Sequence, residues 1–128
     1  MAAPEVPGKR EVPGQRMVAE EFVLADRNGT PRARLSLTAD GEPALSFCDR
    51  HGQTRLSVQL IDGSAPAILL YDSHGVCRIQ LAVRADGAAG LGFYDGAGRG
   101  RAELALEGDG EPTLYIFDQD GNPLRISR

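Results

Sequence analysis

Apolar and polar residues alternate along most of the chain, and the alternation recurs in blocks of 23 residues. Each block reads h-x-h-x-D-x-x-G-x-x-R-h-x-h-x-h, where h is an apolar residue, and a Gly-rich turn follows. A period of two is typical of strands with one apolar face, whereas an amphipathic helix repeats every three to four residues. Each block therefore predicts a short strand and a longer one, and five blocks predict about ten strands and no helix.

The blocks align without an insertion, and each is marked by an Asp, a Gly and, in the first four blocks, an Arg at fixed positions. Asp opens tight turns because its carboxylate accepts nearby backbone N–H groups, and Gly closes them because it tolerates a positive φ. We predict that the arginines form a polar ladder with the aspartates, although Leu124 takes the arginine position in the fifth block. The predicted turn residues are Asp26, Gly29, Asp49, Gly52, Asp72, Gly75, Asp95, Gly98, Asp118 and Gly121, and the arginines are Arg32, Arg55, Arg78 and Arg101.

Two topologies fit this period. In an antiparallel meander, the simplest hairpin register sets Leu24 opposite Pro31. Phe22 then lies opposite Ala33, so that apolar residues share one face. A β-solenoid with one unit per coil fits the period equally well. We predict an all-β fold over residues 20–128, in which five two-strand repeats form an antiparallel meander with a prism-like assembly, and the solenoid is the alternative.

From the third block onward, the residues between the apolar columns are also largely apolar. Strands that are apolar on both sides are usually buried on both sides, and one sheet has no second layer of its own. We therefore predict self-association, as a trimer, through a row of large side chains. A closed barrel with scattered aromatic residues outside is the alternative. The predicted interface residues are Leu69, Tyr71, Tyr94, Tyr115 and Phe117.

Residues 1–19 lie outside the repeat and contain EVPGKR followed by EVPGQR. Pro-Gly pairs favour turns and extended chain over packed structure. We predict a flexible arm, and such an arm could dock the protein onto a larger assembly.

Composition narrows the partners. The 128 residues include 14 Lys and Arg against 18 Asp and Glu, for a net charge of -4. This balance argues against nucleic acid and anionic membranes, which reward clustered positive charge. No stretch approaches the ~20 apolar residues of a membrane span, and the N-terminal residues lack a secretory h-region. With two cysteines as weak candidates for a disulfide, we predict a cytoplasmic protein, compatible with incorporation into a phage-like or other assembly.

Metal binding and catalysis are the remaining alternatives. His51 and His74 each follow a turn aspartate by two residues and could bind Zn²⁺ together if their columns were adjacent. In a meander these columns lie roughly 9.6 Å apart, which makes a shared ion difficult. DQDGN at 118–122 resembles the start of a calcium loop but lacks the distal acidic ligand. No nucleophile with a base, and no phosphate-binding loop, has a recognisable spacing. We predict neither an enzyme nor a bound metal or cofactor.

The segments EEFVLADRNGTPRARLSL and FYDGAGRGRAELAL are similar to an uncharacterised group of bacterial proteins. Those proteins consist of tandem F-x-L-x-D-x-x-G-x-x-R-A-x-L units joined by D-G-x-P turns. The resemblance covers Glu20 to the C-terminus and implies no particular activity. We predict a structural or adaptor-like scaffold subunit. The alternative is a monomeric carbohydrate-binding module that stacks sugars on Tyr71, Tyr94, Tyr115 and Phe117.

Overall fold

Ten strands form one antiparallel sheet in chain order. The computed structural model describes residue 14 and residues 16–126, without the side chain of residue 125. Consecutive strands pair antiparallel throughout, so the predicted all-β meander is confirmed and the solenoid is wrong. The strands are β1 Glu21–Ala25, β2 Pro31–Leu37, β3 Pro43–Cys48, β4 Thr54–Ile61, β5 Ala65–Tyr71, β6 Cys77–Val83, β7 Ala89–Tyr94, β8 Gly100–Leu106, β9 Pro112–Phe117 and β10 Pro123–Ile126.

The sheet is open and has a single layer. Its first strand pairs only with β2 and its last only with β9, so the ends do not meet and the barrel alternative is also wrong. Each strand contacts only its neighbours in the sequence. Within the described residues there is no helix of the length and apolar character that a membrane span requires. Most of the predicted arm, 1–19, lies outside the described residues.

The D-x-x-G turns are held by one repeated set of hydrogen bonds. In the first turn, Asp26 Oδ1 accepts the backbone N–H groups of Asn28 at 2.9 Å and Thr30 at 3.1 Å. The Gly29 N–H donates to the Asp26 carbonyl, and Gly29 has a φ of 80°, which costs glycine little. This combination is a type I turn followed by a left-handed residue. The carboxylate bonds recur at Asp49, Asp72, Asp95 and Asp118.

The predicted hairpin register is wrong by two residues. The Asp26 N–H donates to the Thr30 carbonyl, so the loop is one residue longer than predicted. Arg32 then forms a bulge, because Pro31 lies opposite Ala25 whereas Ala33 lies opposite Leu24. Two shifts of one residue add to two, and the same side chains therefore return to the same face. Alternation was thus a sound guide to the faces, although it could not reveal the bulge.

A pair of glycines in the fourth D-x-x-G turn tests this turn geometry. Gly98 has a φ of 81°, whereas Gly96 does not lie in the positive-φ region and would have no atom near an added Cβ. We expect Gly98→Ala to lower the free energy of unfolding by about 1 kcal/mol, because an L side chain is strained there. Gly96→Ala should be neutral or slightly stabilising. Urea unfolding of both variants checks this, and equal effects would contradict it.

Candidate interaction surface

Two rows of apolar side chains cross the sheet on one face, which we call the aliphatic face. Directly paired residues in neighbouring strands connect each row across all ten strands, and neither row contains a polar residue. The first row is Phe22, Leu35, Leu45, Val58, Ile68, Leu81, Leu91, Leu104, Leu114 and Ile126. The second is Leu24, Ala33, Phe47, Leu56, Leu70, Ile79, Phe93, Ala102, Ile116 and Leu124.

Nothing in the described chain covers the aliphatic face. Many of its large side chains remain exposed even in the middle of the sheet, where Ile68 is 37% and Leu104 is 53% exposed, and Leu24 in the edge strand β1 reaches 67%. Five others are half-buried: Leu45, Leu56, Ile79, Leu91 and Leu114. Nine strand spacings of about 4.8 Å and a width of about 13 Å give a strip with a projected area on the order of 550 Å². A continuous apolar patch of this size usually marks an interaction site.

The opposite face, which we call the small-residue face, is built differently. One row of it passes from Ser36 through alanines, Gln59 and Gly90 to Thr113. Its small side chains lie below their neighbours, so that Ala67 is 3% and Thr113 is 1% exposed. This face is therefore largely covered by its own residues, although the aliphatic face is not.

The structure places all five predicted interface residues on the small-residue face. Leu69 is only 7% exposed, between Ser57 and Gln80. The Tyr115 and Phe117 rings stack on each other, with centroids 6.3 Å apart and planes at 23°. The aromatic row thus exists as a feature of one face, and its role in self-association remains a prediction.

Tyr94 lies down over the sheet and does not stand upright from it. A Cβ added at Gly92 would be 3.1 Å from the Tyr94 hydroxyl oxygen, and one at Gly100 would be 3.8 Å from the ring. Burial, with a contribution from the charge of Glu103, raises the pKa of Tyr94. Gly92, which stands where the neighbouring blocks have Leu69 and Tyr115, makes room for this ring.

The four repeat arginines connect adjacent D-x-x-G turns. In each case Nη1 lies 3.5–3.8 Å from the aspartate of the same block. In each case Nε also donates to the carbonyl that precedes the aspartate of the next block, for example from Arg78 to Tyr94 at 2.6 Å. The bulge places each arginine between the two turns, so four arginines link five turns along one side of the sheet.

The fifth block has neither an arginine nor a bulge. Leu124 lies opposite Ile116 in a regular register and joins the aliphatic face. Within residues 16–126 the sheet ends at β10, which pairs only with β9. The change from Arg to Leu therefore coincides with the end of the arginine links.

Hydrogen bonding lowers the pKa of four turn aspartates. For Asp72, Asp95 and Asp118 the leading cause is the backbone N–H donated by the residue four positions on. For Asp49, desolvation acts in the opposite direction, but the N–H groups of Gln53 and His51 still lower the pKa. The turns are therefore built around ionised carboxylates.

The polar candidates for chemistry are dispersed. Both histidines are exposed, and each gives its backbone N–H to its turn aspartate. No group of three or more His, Cys, Asp or Glu side chains within the described residues could hold a metal ion. Cys48 and Cys77 are both free thiols. No family model matches the sequence, and a search of curated proteins found no significant match.

The exposure of the aliphatic columns is the main feature that sequence analysis missed. The alternation predicted that these residues share a face but not that the face is uncovered, and Leu35, for example, is 47% exposed. This exposure could have been predicted, because ten strands of one sheet use up the repeat domain and leave none of it for a second layer. We expected a partner only over the aromatic row, although its first two blocks have Val23, Ala25, Ser46 and Cys48 there.

An arginine pair tests the links between turns. We expect Arg78→Lys to lower the free energy of unfolding by about 1 kcal/mol, because an ammonium group cannot reproduce the two-sided guanidinium contact. The control is Arg84→Lys in a turn on the other side of the sheet, where the ion pairs to Asp86 and Glu107 are 4.0 and 3.9 Å long and exposed. It should change stability by less than about 0.5 kcal/mol. Denaturant unfolding of both variants at pH 7 distinguishes them.

Acid should weaken the fold through four turn aspartates, Asp49, Asp72, Asp95 and Asp118. Because their folded pKa values are lowered, the stability they contribute is fully present above the unfolded pKa of about 4. It is lost as the pH falls through the folded pKa values. We expect the free energy of unfolding to decline below about pH 4. Asp72→Asn, which retains an acceptor oxygen, should have a shallower decline, and an identical pH profile would contradict the assignment.

Proposed function

We propose that this protein is a structural subunit that associates with copies of itself through the aliphatic face. The supporting observation is the pair of unbroken apolar rows, to which every strand contributes at least one exposed large side chain. The proposed contact therefore lies on the face opposite the predicted aromatic row, because the exposed apolar area lies there. The biochemical role is assembly by burial of surface.

Energetics favour another copy as the partner. At about 25 cal/mol per Å², burying a strip of roughly 550 Å² contributes about 14 kcal/mol for each copy. Association costs about 4–15 kcal/mol, so a stable complex must cover most of the strip. A second sheet with the same strand spacing and side-chain period can do so along the full length. Another copy of this chain has both properties.

The scaffold role follows from the shape of the sheet. A single layer of consecutive hairpins offers a long surface, and its turns are fixed by hydrogen bonds. Such a sheet holds its two ends at a fixed distance and in a fixed relative orientation. Residues 1–19 would then dock the assembly onto a larger structure, as the arm hypothesis predicts.

A carbohydrate-binding module is the second candidate. A depression of about 490 Å³ on the small-residue face is lined by Ser46, Ser57, Gln59 and Tyr71. The Ser57 hydroxyl is buried and has no hydrogen-bond partner among the described residues. Hydroxyl and amide groups beside an aromatic ring suit a sugar. This function leaves the aliphatic face in water, and it is therefore the weaker proposal.

Two double variants of the full-length chain compare the faces. We expect the wild type to be an oligomer by light scattering. Leu81→Ser with Leu104→Ser should reduce the mass towards the 13.6 kDa of one chain, because it places hydroxyls in the aliphatic row. Tyr94→Ser with Phe117→Ser changes the other face and should leave the mass unchanged.

Each alternative result has a definite meaning. If only the aromatic pair dissociates the oligomer, the contact lies on the small-residue face. If the wild type is a monomer at all concentrations, self-association is wrong. Glycan binding that disappears with Tyr71→Ser would then favour the carbohydrate module.

A further inference from the structure

We infer that three copies form a parallel triangular prism, with their aliphatic faces inward and unlike turn rows in contact at its corners. This inference rests on the proposed self-association. It adds the number of copies, their relative direction and the second surface through which they recognise one another. Three features carry it: the length of the strands, the exposure at the margins and the charges of the two turn rows.

The strand length suits three walls around one axis. Packed sheets lie about 10 Å apart, so each wall of a prism stands about 5 Å from the axis. An equilateral prism with this spacing has walls about 17 Å wide, which is the length of about five strand residues. The strands contain four to eight residues. Three sheets of this width can therefore enclose their inner side chains.

Exposed apolar residues reach both margins of the sheet's width. Leu24, beside a D-x-x-G turn, is 67% exposed, and Leu37, beside the turn at the other side, is 63% exposed. Leu35, between these margins in β2, is 47% exposed. Two facing sheets would cover the middle of the strip and leave its margins open. In a prism each margin meets the neighbouring wall.

The two turn rows have different charges. The acidic row consists of the turns at 38–42, 61–65, 84–88 and 107–111. It contains seven carboxylates and one cation, Arg84, which leaves a formal charge of six minus. The arginine row consists of the five D-x-x-G turns with their bulge arginines. It contains seven arginines and six aspartates, which leaves one plus, and two neutral histidines.

These charges select a parallel arrangement. When every copy runs in the same direction around a rotation axis along the sheet, each arginine row lies beside the acidic row of the next copy. When two neighbours run in opposite directions, rows of the same kind meet instead. Acidic rows in contact would repel each other, whereas unlike rows attract. A closed ring of unlike contacts also leaves no row without a partner.

Distances between spin labels in the full-length protein test the arrangement. A nitroxide is attached at Gln119→Cys, or at Asn28→Cys, in a background with Cys48→Ser and Cys77→Ala. Both label sites are exposed turn residues in the arginine row, at opposite ends of the sheet. Eight strand spacings, about 38 Å, separate their turns along the sheet. Light scattering on the same samples gives the number of copies.

We expect a mass of about 41 kDa, three times the 13.6 kDa of one chain. Within this trimer, labels at Gln119 should be about 20–30 Å apart, since they occupy three corners at the same end. Labels at Asn28 should give the same short distance. In oligomers mixed from the two singly labelled proteins, the distances between unlike sites should be about 40 Å or longer.

Other results overturn specific parts of the inference. A short distance between unlike sites, with about 40 Å or more between like sites, means that the copies are antiparallel. A mass of about 27 kDa, twice that of one chain, rejects the three-walled prism but leaves self-association intact. A mass of 13.6 kDa rejects both this inference and the proposed function.

Discussion

Hydrogen bonding between consecutive strands is the interaction on which the whole structure depends, because no strand contacts any element except its sequence neighbours. In most domains a second layer packs on the sheet and supplies much of the stability. Here the backbone ladder, the turns and the side-chain rows must provide it within one layer. The stability of the monomer is then approximately a sum of neighbouring interactions, as in other repeat proteins. Local features such as the turn aspartates consequently matter more than they would in a domain with a large core.

The two sides and the two faces of the sheet differ in whether contacts within the chain stabilise them. The D-x-x-G side is fixed internally, since each of its four bulge arginines connects two successive turns. The small-residue face is closed by its own side chains. The aliphatic face is not covered by any described residue, and the acidic side has a single arginine, Arg84, against seven carboxylates. The packing of one copy beside another can bury the aliphatic face and, at the same time, bring the acidic side into contact with an arginine row.

Much of the fold could be predicted from the sequence. Strict alternation and an uninterrupted period identify the strands and their faces, and Asp with Gly identifies the turns. The register could not be obtained in this way, because one more loop residue and the Arg32 bulge together leave the alternation unchanged. The exposure of the aliphatic face was also missed. Alternation tells which residues share a face, but whether that face is covered depends on what lies above it.

The side-chain roles were partly readable. Each turn aspartate accepts backbone N–H groups, which its local sequence predicts. The bond from Arg78 to the Tyr94 carbonyl spans sixteen residues, so no local pattern reveals it. Gly92 is a similar case, since its smallness becomes meaningful only beside the Tyr94 ring. Contacts across neighbouring strands require the register, and the register was the step that the sequence left open.

The repeat makes the length of the sheet proportional to the number of blocks. One 23-residue block adds two strands, or about 9.6 Å of length, and leaves the cross-section unchanged. Gain or loss of an internal block would therefore alter the length of the body without disturbing its width, its faces or the spacing of its turns. Length in this architecture is a quantity that a gene can adjust in fixed steps.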